Sequence, residues 1–236
     1  MVYGVILAGG VGSRMGNAEK PKQYLQIGEK PIIIHTVEKM YVHPEIEKVL
    51  VLCPEQWVSY TKTLLNKYRL PASEIAVLKG GSTRNGTIMN AISYIEEQGD
   101  LTEDTIIVTH DSVRPFITHR IISENVRYAQ KYGACDTVIA ATDTIVESRD
   151  GEIISEIPER SKMYQGQTPQ SFCAVKLKNL YESLTEEEKQ ILTDAAKIFA
   201  IKGEKVYLVQ GEVSNIKITY PYDLRVAEAL IKEDRK

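Results

Sequence analysis

The sequence predicts an open α/β sheet, mostly parallel, with a protruding β-arm. Three observations carry that. Short runs rich in Val and Ile are nearly continuous in hydrophobicity, as strands buried on both faces are. Amphipathic helical patterns lie between most of them. One stretch breaks this alternation and carries a hairpin turn signal. Strand and helix in alternation require a parallel sheet with right-handed crossovers.

The strand runs, in order, are "VYGVILA" from Val2, "KVLVLC" from Lys48, "IAVLKG" from Ile75, "TIIVTH" from Thr105, "DTVIAA" from Asp136 and "KVYLVQ" from Lys205. Pro31 opens the first helix, where its missing N–H costs nothing. "TRNGTIMNAISYI" puts Ile88, Ala91, Ile92 and Ile95 on one helical face. "THRIISENVRYAQKYG" starts at Thr118, a fitting N-cap, and stops at Gly133. Pro221 opens a last helix with Leu224, Ala227, Leu230 and Ile231 on one stripe. Residues 144–167 form the predicted arm, with Asp150-Gly151 as its turn and Ile145, Val146, Ile153, Ile154 and Ile157 as its apolar residues.

A chain of 236 residues suits one α/β domain, and no composition shift or internal repeat marks a boundary. The formal net charge of −3 argues against a general nucleic-acid binder. No apolar run approaches a membrane span, and residues 5–8 are too short for a signal peptide, so no membrane insertion is expected. Cys53, Cys135 and Cys173 form no C-x-x-C pair; an odd, sparse set fits a reducing cytoplasm and packing roles. The four histidines have no metal spacing.

The chemistry is expected after the first strand, in "VILAGGVGSRMGNAEKPKQYLQIG". It is not a P-loop, which needs G-x-x-x-x-G-K-[ST]. Its glycines miss the dinucleotide fingerprint by one residue, and no acidic residue closes a second strand about 20 residues on. A plain turn would rarely gather Arg14, Lys20 and Lys22 among glycines. A loop that wraps a nucleoside triphosphate fits best. Glycines admit close approach, while exposed N–H groups and cations meet the polyphosphate. Further along, "GGSTRNGT" follows the third strand, where Ser82 or Thr83 can cap a helix, and Asp111 ends the fourth.

"LAGGVGSRMG…PKQYL" resembles the opening of the sugar and polyol phosphate nucleotidyltransferases, and "GGSTRNGTI", "HDSVRPF", "AATDTI", "QTPQSF" and "NIKIT" extend the likeness along nearly the whole chain. Together they look like the cytidylyltransferase branch, with its methylerythritol phosphate and ribitol-5-phosphate enzymes. The resemblance implies a Rossmann-like fold of the nucleotide-diphospho-sugar transferase type. It implies attack by a polyol phosphate oxygen on the α-phosphorus of CTP, with loss of pyrophosphate and Mg²⁺ as cofactor. Catalysis of that kind is positioning and electrostatic stabilisation between two anions.

By the same resemblance Arg14, Lys22, Lys217 and the arm residue Arg160 are the catalytic cations, and Lys20 is a weaker candidate. Leu7, Ala8, Gly9 and Gly10 give backbone contacts to the nucleotide. The base-selective segment is Gly81, Ser82, Thr83, Arg84, Asn85, Gly86 and Thr87, with the Thr87 hydroxyl at the cytosine edge. Ser112 also meets the nucleotide. Asp111 is the metal ligand. Arg114 either pairs with Asp111 or reaches the substrate phosphate. Asp143 and Thr144 meet the polyol. The methylerythritol enzymes usually read "DAARP" where this chain has "DSVRP", so the wording leans to ribitol 5-phosphate, CDP-ribitol and teichoic acid synthesis. The methylerythritol acceptor of isoprenoid synthesis is the alternative. Expected partners are a second copy in a homodimer and a separate reductase supplying ribitol 5-phosphate. The rivals from other classes are a non-catalytic nucleotide-binding regulator and a dehydrogenase. Which of CTP and NADPH raises the melting temperature separates the dehydrogenase from the cytidylyltransferase.

Overall fold

The computed structural model describes residues 1–10 and 20–233. The chain enters as β1 (Val2–Leu7), and a small hairpin of β2 (Gln26–Ile27) and β3 (Lys30–Pro31) precedes α1 (Ile32–Tyr41). Then come β4 (Lys48–Cys53), α2 (Glu55–Lys67), β5 (Ile75–Lys79), α3 (Arg84–Glu97), β6 (Ile106–Asp111), α4 (His119–Tyr132) and β7 (Ala134–Ala140). β8 (Tyr164–Cys173), α5 (Ala174–Glu182), α6 (Glu186–Gln190), α7 (Ala196–Ile201), β9 (Tyr207–Gln210) and α8 (Pro221–Glu233) complete it.

One sheet has the order β5-β4-β1-β6-β8-β7-β9. The pairs β4–β5, β1–β4, β1–β6 and β7–β9 are parallel; β8 runs antiparallel to both neighbours. Strand alternation builds a core on each face. Val2 and Ile6 of β1 join Val37, Leu64, Ile121 and Val126 from α1, α2 and α4. Tyr3, Val5 and Leu7 join Ile88, Ile92, Leu177 and Phe199 from α3, α5 and α7. A third cluster ties Ile27 and Ile32 to Val113, Phe116, Ile218 and Ala227 of α8. All three cysteines are buried and free. No helix among the described residues is long and apolar enough to cross a membrane.

The structure departs from expectation at four points. The sequence marks no strand over residues 164–173, where Gly166, Pro169 and five polar side chains interrupt the run. Yet β8 spans ten residues at the sheet interior. Neighbours meet several of its polar groups: Gln170 Nε2 donates to Asp136 on β7, and Ser171 Oγ to Asn125 Oδ1 on α4, while Gln170 Oε1 is buried without a partner among the described residues. The register with β7 shifts between Asp136 and Val138, beside Pro169, which has no N–H to give the ladder. The arm therefore ends before Tyr164, not at residue 167. It is a loop with a single bridge, Glu147 to Glu156, rather than a regular hairpin. Side chains hold its turn, with Asp150 Oδ1 accepting from the Glu152 and Ile153 N–H groups and Gly151 at φ +81°. Thr118 stands at the N-cap of α4 but makes no cap bond; its hydroxyl donates to Glu212. Pro31 stands at the cap of α1 rather than inside it.

Candidate active site

The parallel strands end in a pocket of about 400 Å³. Its walls come from the ends of β1 and β6, the loop before α3, and the segment before α8. Leu7, Gly9, Gly10 and Lys22 line one side, and Gly81, Ser82, Thr83, Arg84 and Thr87 a second. Asp111, Ser112, Val113, Lys217 and Thr219 close it. The strand ends of an open α/β sheet are where such a cleft belongs, because the loops there are free of ladder bonds.

Asp111 is the centre of its charge. Its Oδ1 lies 2.5 Å from Arg84 Nη1, and its Oδ2 lies 2.8 Å from Lys217 Nζ and 3.5 Å from Arg114 Nε. Burial alone would raise its pKa, but Arg84, Lys217 and Arg114 together outweigh burial and hold the carboxyl well below the usual carboxylate range. Next to it, burial pushes His110 down to about 4. Its Nε2 lies 3.0 Å from the Arg114 carbonyl, and its Nδ1 faces Thr168 Oγ1 at 2.9 Å. His110 is thus a neutral bracket, and Thr168 Oγ1 also accepts from the Asp111 N–H.

The loop before α3 is built on contact at its glycine. A Cβ on Gly81 would come within 2.6 Å of the Gly86 carbonyl carbon and 2.8 Å of the Thr87 nitrogen, both backbone. Thr83 caps α3 by accepting from the Gly86 N–H. Thr87 lines the pocket, but its hydroxyl accepts from the Gly81 N–H at 3.0 Å and sits 2.9 Å from the Thr83 carbonyl, so it braces the loop.

Several expected contacts are placed elsewhere. The Ala8 N–H donates to Leu52 and its carbonyl accepts from Gln23 Nε2, so its backbone is already used. Leu7 gives its carbonyl to the Ser112 N–H. Asn85 turns from the pocket toward the Asp194 carbonyl, and Gly86 packs behind Gly81. Arg114 is 8 % exposed and lies outside the lining, with Nη1 donating to the Asn215 carbonyl at 2.7 Å. Of the two readings of Arg114, the pair with Asp111 is the one seen. Lys22 is buried at the pocket wall, whereas Lys20 lies over the Tyr60 ring on α2. Asp143, Thr144 and Arg160 are exposed and outside the lining, and Arg160 Nη1 donates to the Thr142 carbonyl. Arg14 lies outside the described residues.

Gln23 and Thr219 line the pocket without having been singled out. Both sit inside noted motifs, "PKQYL" and "NIKIT", but nothing local marks them. Gln23 Nε2 donates to the Ala8 carbonyl, and the Thr219 hydroxyl donates to the Lys217 carbonyl at 3.2 Å.

Mg²⁺ prefers oxygen and commonly takes one or two carboxylates plus substrate phosphates. Among the described residues no group of three or more His, Cys, Asp or Glu could hold a metal. A lone, fully ionised Asp111 fits a cation bound chiefly through a substrate's phosphates.

A family model described as "IspD: 2-C-methyl-D-erythritol 4-phosphate cytidylyltransferase" matches residues 2–233. Three solved structures are similar. The 4-diphosphocytidyl-2C-methyl-D-erythritol synthase of Anaerococcus prevotii is 26 % identical with a TM-score of 0.79, over 98 % of this chain and 96 % of that one. The 2-C-methyl-D-erythritol 4-phosphate cytidylyltransferase of Thermus thermophilus is 25 % identical with a TM-score of 0.73, over 97 % and 98 %. That of Francisella tularensis, at 24 % identity and TM-score 0.80 over 97 % and 98 %, shares the fold.

Proposed function

Since the chain belongs to the 2-C-methyl-D-erythritol 4-phosphate cytidylyltransferase family and is a CTP-dependent nucleotidyltransferase of that type, we propose that this pocket carries cytidylyl transfer to a small polyol monophosphate. The observation that supports it is a pocket at the strand ends lined by three cations, Lys22, Arg84 and Lys217, the last two paired with Asp111. Two anions must meet there, and no nucleophilic side chain is needed because a phosphate oxygen is already ionised.

The Gly81–Thr87 loop and the open Gly9-Gly10 backbone receive the nucleotide. Lys22, Lys217 and Arg14 stabilise charge growing on the α-phosphate and the leaving pyrophosphate. Asp111 would hold Mg²⁺, which when bound neutralises phosphate charge. Its Oδ1 meets Arg84 and its Oδ2 meets Lys217 and Arg114, so a shift of Arg84 onto a phosphate frees one oxygen.

The acceptor supported by the family match and the named neighbours is 2-C-methyl-D-erythritol 4-phosphate. Ribitol 5-phosphate is the second reading. What favours it is that Ser112 and Val113, where the wording departs from "DAARP", both line the pocket. Pyrophosphate release from CTP with each acceptor side by side decides it, the higher kcat/KM naming the substrate. Release with neither would overturn the acceptor class.

The arm is the natural dimer contact of this reading. Val146, Ile153, Ile154 and Ile157 are each at least half exposed. Such a loop is marginal in water without a surface to cover it. A second copy would supply that surface and bring Asp143, Thr144 and Arg160 to a neighbouring pocket. Mixing dead Lys22→Ala and Arg160→Ala homodimers then leaves half the dimers hybrid with one intact site, for about a quarter of wild-type activity. No recovery despite subunit exchange would place Arg160 outside the neighbour's site.

A further inference from the structure

We propose that Asn215 and Gln167 form a buried clamp that positions Lys217 against the reacting phosphates. The inference rests on the reading of Lys217 above.

Lys217 sits in an irregular stretch between β9 and α8, where no ladder fixes the backbone. Its side chain is 41 % exposed, and the ion pair with Asp111 holds the ammonium without fixing the backbone that carries it. What fixes the segment is one asparagine two residues upstream. Asn215 is fully buried. Its Nδ2 donates to the Thr168 carbonyl at 2.9 Å and to Gln167 Oε1 at 3.2 Å. Its carbonyl accepts from Arg114 Nη1 at 2.7 Å, and its N–H donates to the Glu212 carbonyl at 3.0 Å.

Gln167 closes the loop. While its Oε1 takes the Asn215 amide, its Nε2 donates to the Glu212 carbonyl at 2.8 Å. One side chain therefore grips the segment at two points, three residues apart. Gly211 makes room for it, because a Cβ there would overlap Gln167 Oε1. On the far side, the Ile218 N–H donates to the Val113 carbonyl at 2.9 Å. Arg114 joins this clamp to Asp111, so Lys217 and Asp111 are coupled directly by their ion pair and indirectly through Arg114 and Asn215. Although Asn215 Oδ1 is buried without a partner among the described residues, its Nδ2 meets two acceptors at once, which few backbone courses allow, so it selects one. Electrostatic catalysis needs such selection, since a displaced stabiliser loses much of its effect.

The test is a set of double-mutant cycles read by pyrophosphate release and by melting. Asn215→Ala, Gln167→Leu and Gly211→Ala are each made in wild type and in Lys217→Ala. Gly211→Ala strikes the clamp without touching Asn215 and stands in if Asn215→Ala fails to fold. In the wild-type background kcat should fall roughly tenfold or more with KM for CTP moving less than about threefold. In the Lys217→Ala background the same changes should cost almost nothing further in kcat, because they act through a side chain already gone. Equal fold-losses in both backgrounds would overturn the clamp and leave Lys217 in place. An unchanged kcat for Lys217→Ala alone would overturn the role of Lys217 itself, and the clamp with it.

Discussion

Asp111→Asn removes the counter-charge from three cations and nearly preserves shape. The three are not equally exposed: Lys217 is 41 %, Arg84 26 % and Arg114 10 % exposed at the side chain. Water can solvate the first two once the carboxylate is gone, so their share of the loss is small. Arg114 is different. At its 3.5 Å separation, an effective dielectric near 20 gives an attraction of roughly 5 kcal/mol, part of which desolvation already offsets. Its bond to the Asn215 carbonyl survives and softens the loss. A net destabilisation of about 2–4 kcal/mol follows, or a fall in Tm of roughly 5–10 °C for a chain of this size. The sign with pH also follows. A depressed carboxyl pKa adds stability that is present above the unfolded value near 4 and lost as pH falls through the folded one. The gap between wild type and variant should therefore be flat from about pH 5 to 9 and narrow only below about pH 4. Inorganic pyrophosphate should restore part of the Tm, through Arg84 and Lys217, but not the share owed to Arg114. Thermal melts across pH, with and without pyrophosphate, measure all of this. A variant that melts within a degree of wild type at pH 7 would refute the claim that Asp111 carries a buried counter-charge.

Other outcomes follow from single contacts. Lys22→Ala should cut kcat by roughly 10²–10³, as loss of one preorganised donor does, while Lys20→Ala, which only frees the Tyr60 ring, should cost far less; equal losses would show that the wrong lysine has been placed at the phosphates. Gly81→Ala must push rigid backbone, so roughly 1–3 kcal/mol of stability and most CTP affinity should go, as melting and CTP titration would show; retained affinity would mean that the loop does not meet the nucleotide. Burial, partly offset by the Gln170 amide, pushes Asp136 up to about 7. Its folded pKa exceeds its unfolded one, so the folded state holds the extra proton and wild type loses stability from about pH 4 to pH 7. Asp136→Asn should flatten that slope and raise Tm at pH 8 by a few degrees; an equal change at pH 5 and pH 8 would exclude the titration.

The sequence by itself determined the α/β class, six of the strands and the loops that end them. Those features are local: Val- and Ile-rich runs, helix stripes and glycine turns are written within a dozen residues. The pocket's glycines and its cation Lys22 were legible for the same reason, as short motifs placed just after strands. Tertiary structure decided the rest. β8 reads as a polar, broken segment, and only its surroundings make it a strand: β6 and β7 pair its backbone, Asp136 of β7 accepts from the Gln170 amide, and Asn125 of α4 accepts from Ser171. No spacing reveals that Arg114 turns inward to Asn215, 101 residues away, or that Gln23 is spent on the Ala8 carbonyl. The same holds for Asp111, whose three cations arrive from the start of α3, the loop after β6 and the segment before α8. Hydrophobic period and turn chemistry act along the chain, so sequence records them. Charge pairing and buried hydrogen bonds act across it, so they exist only once the sheet has brought those loops to one end.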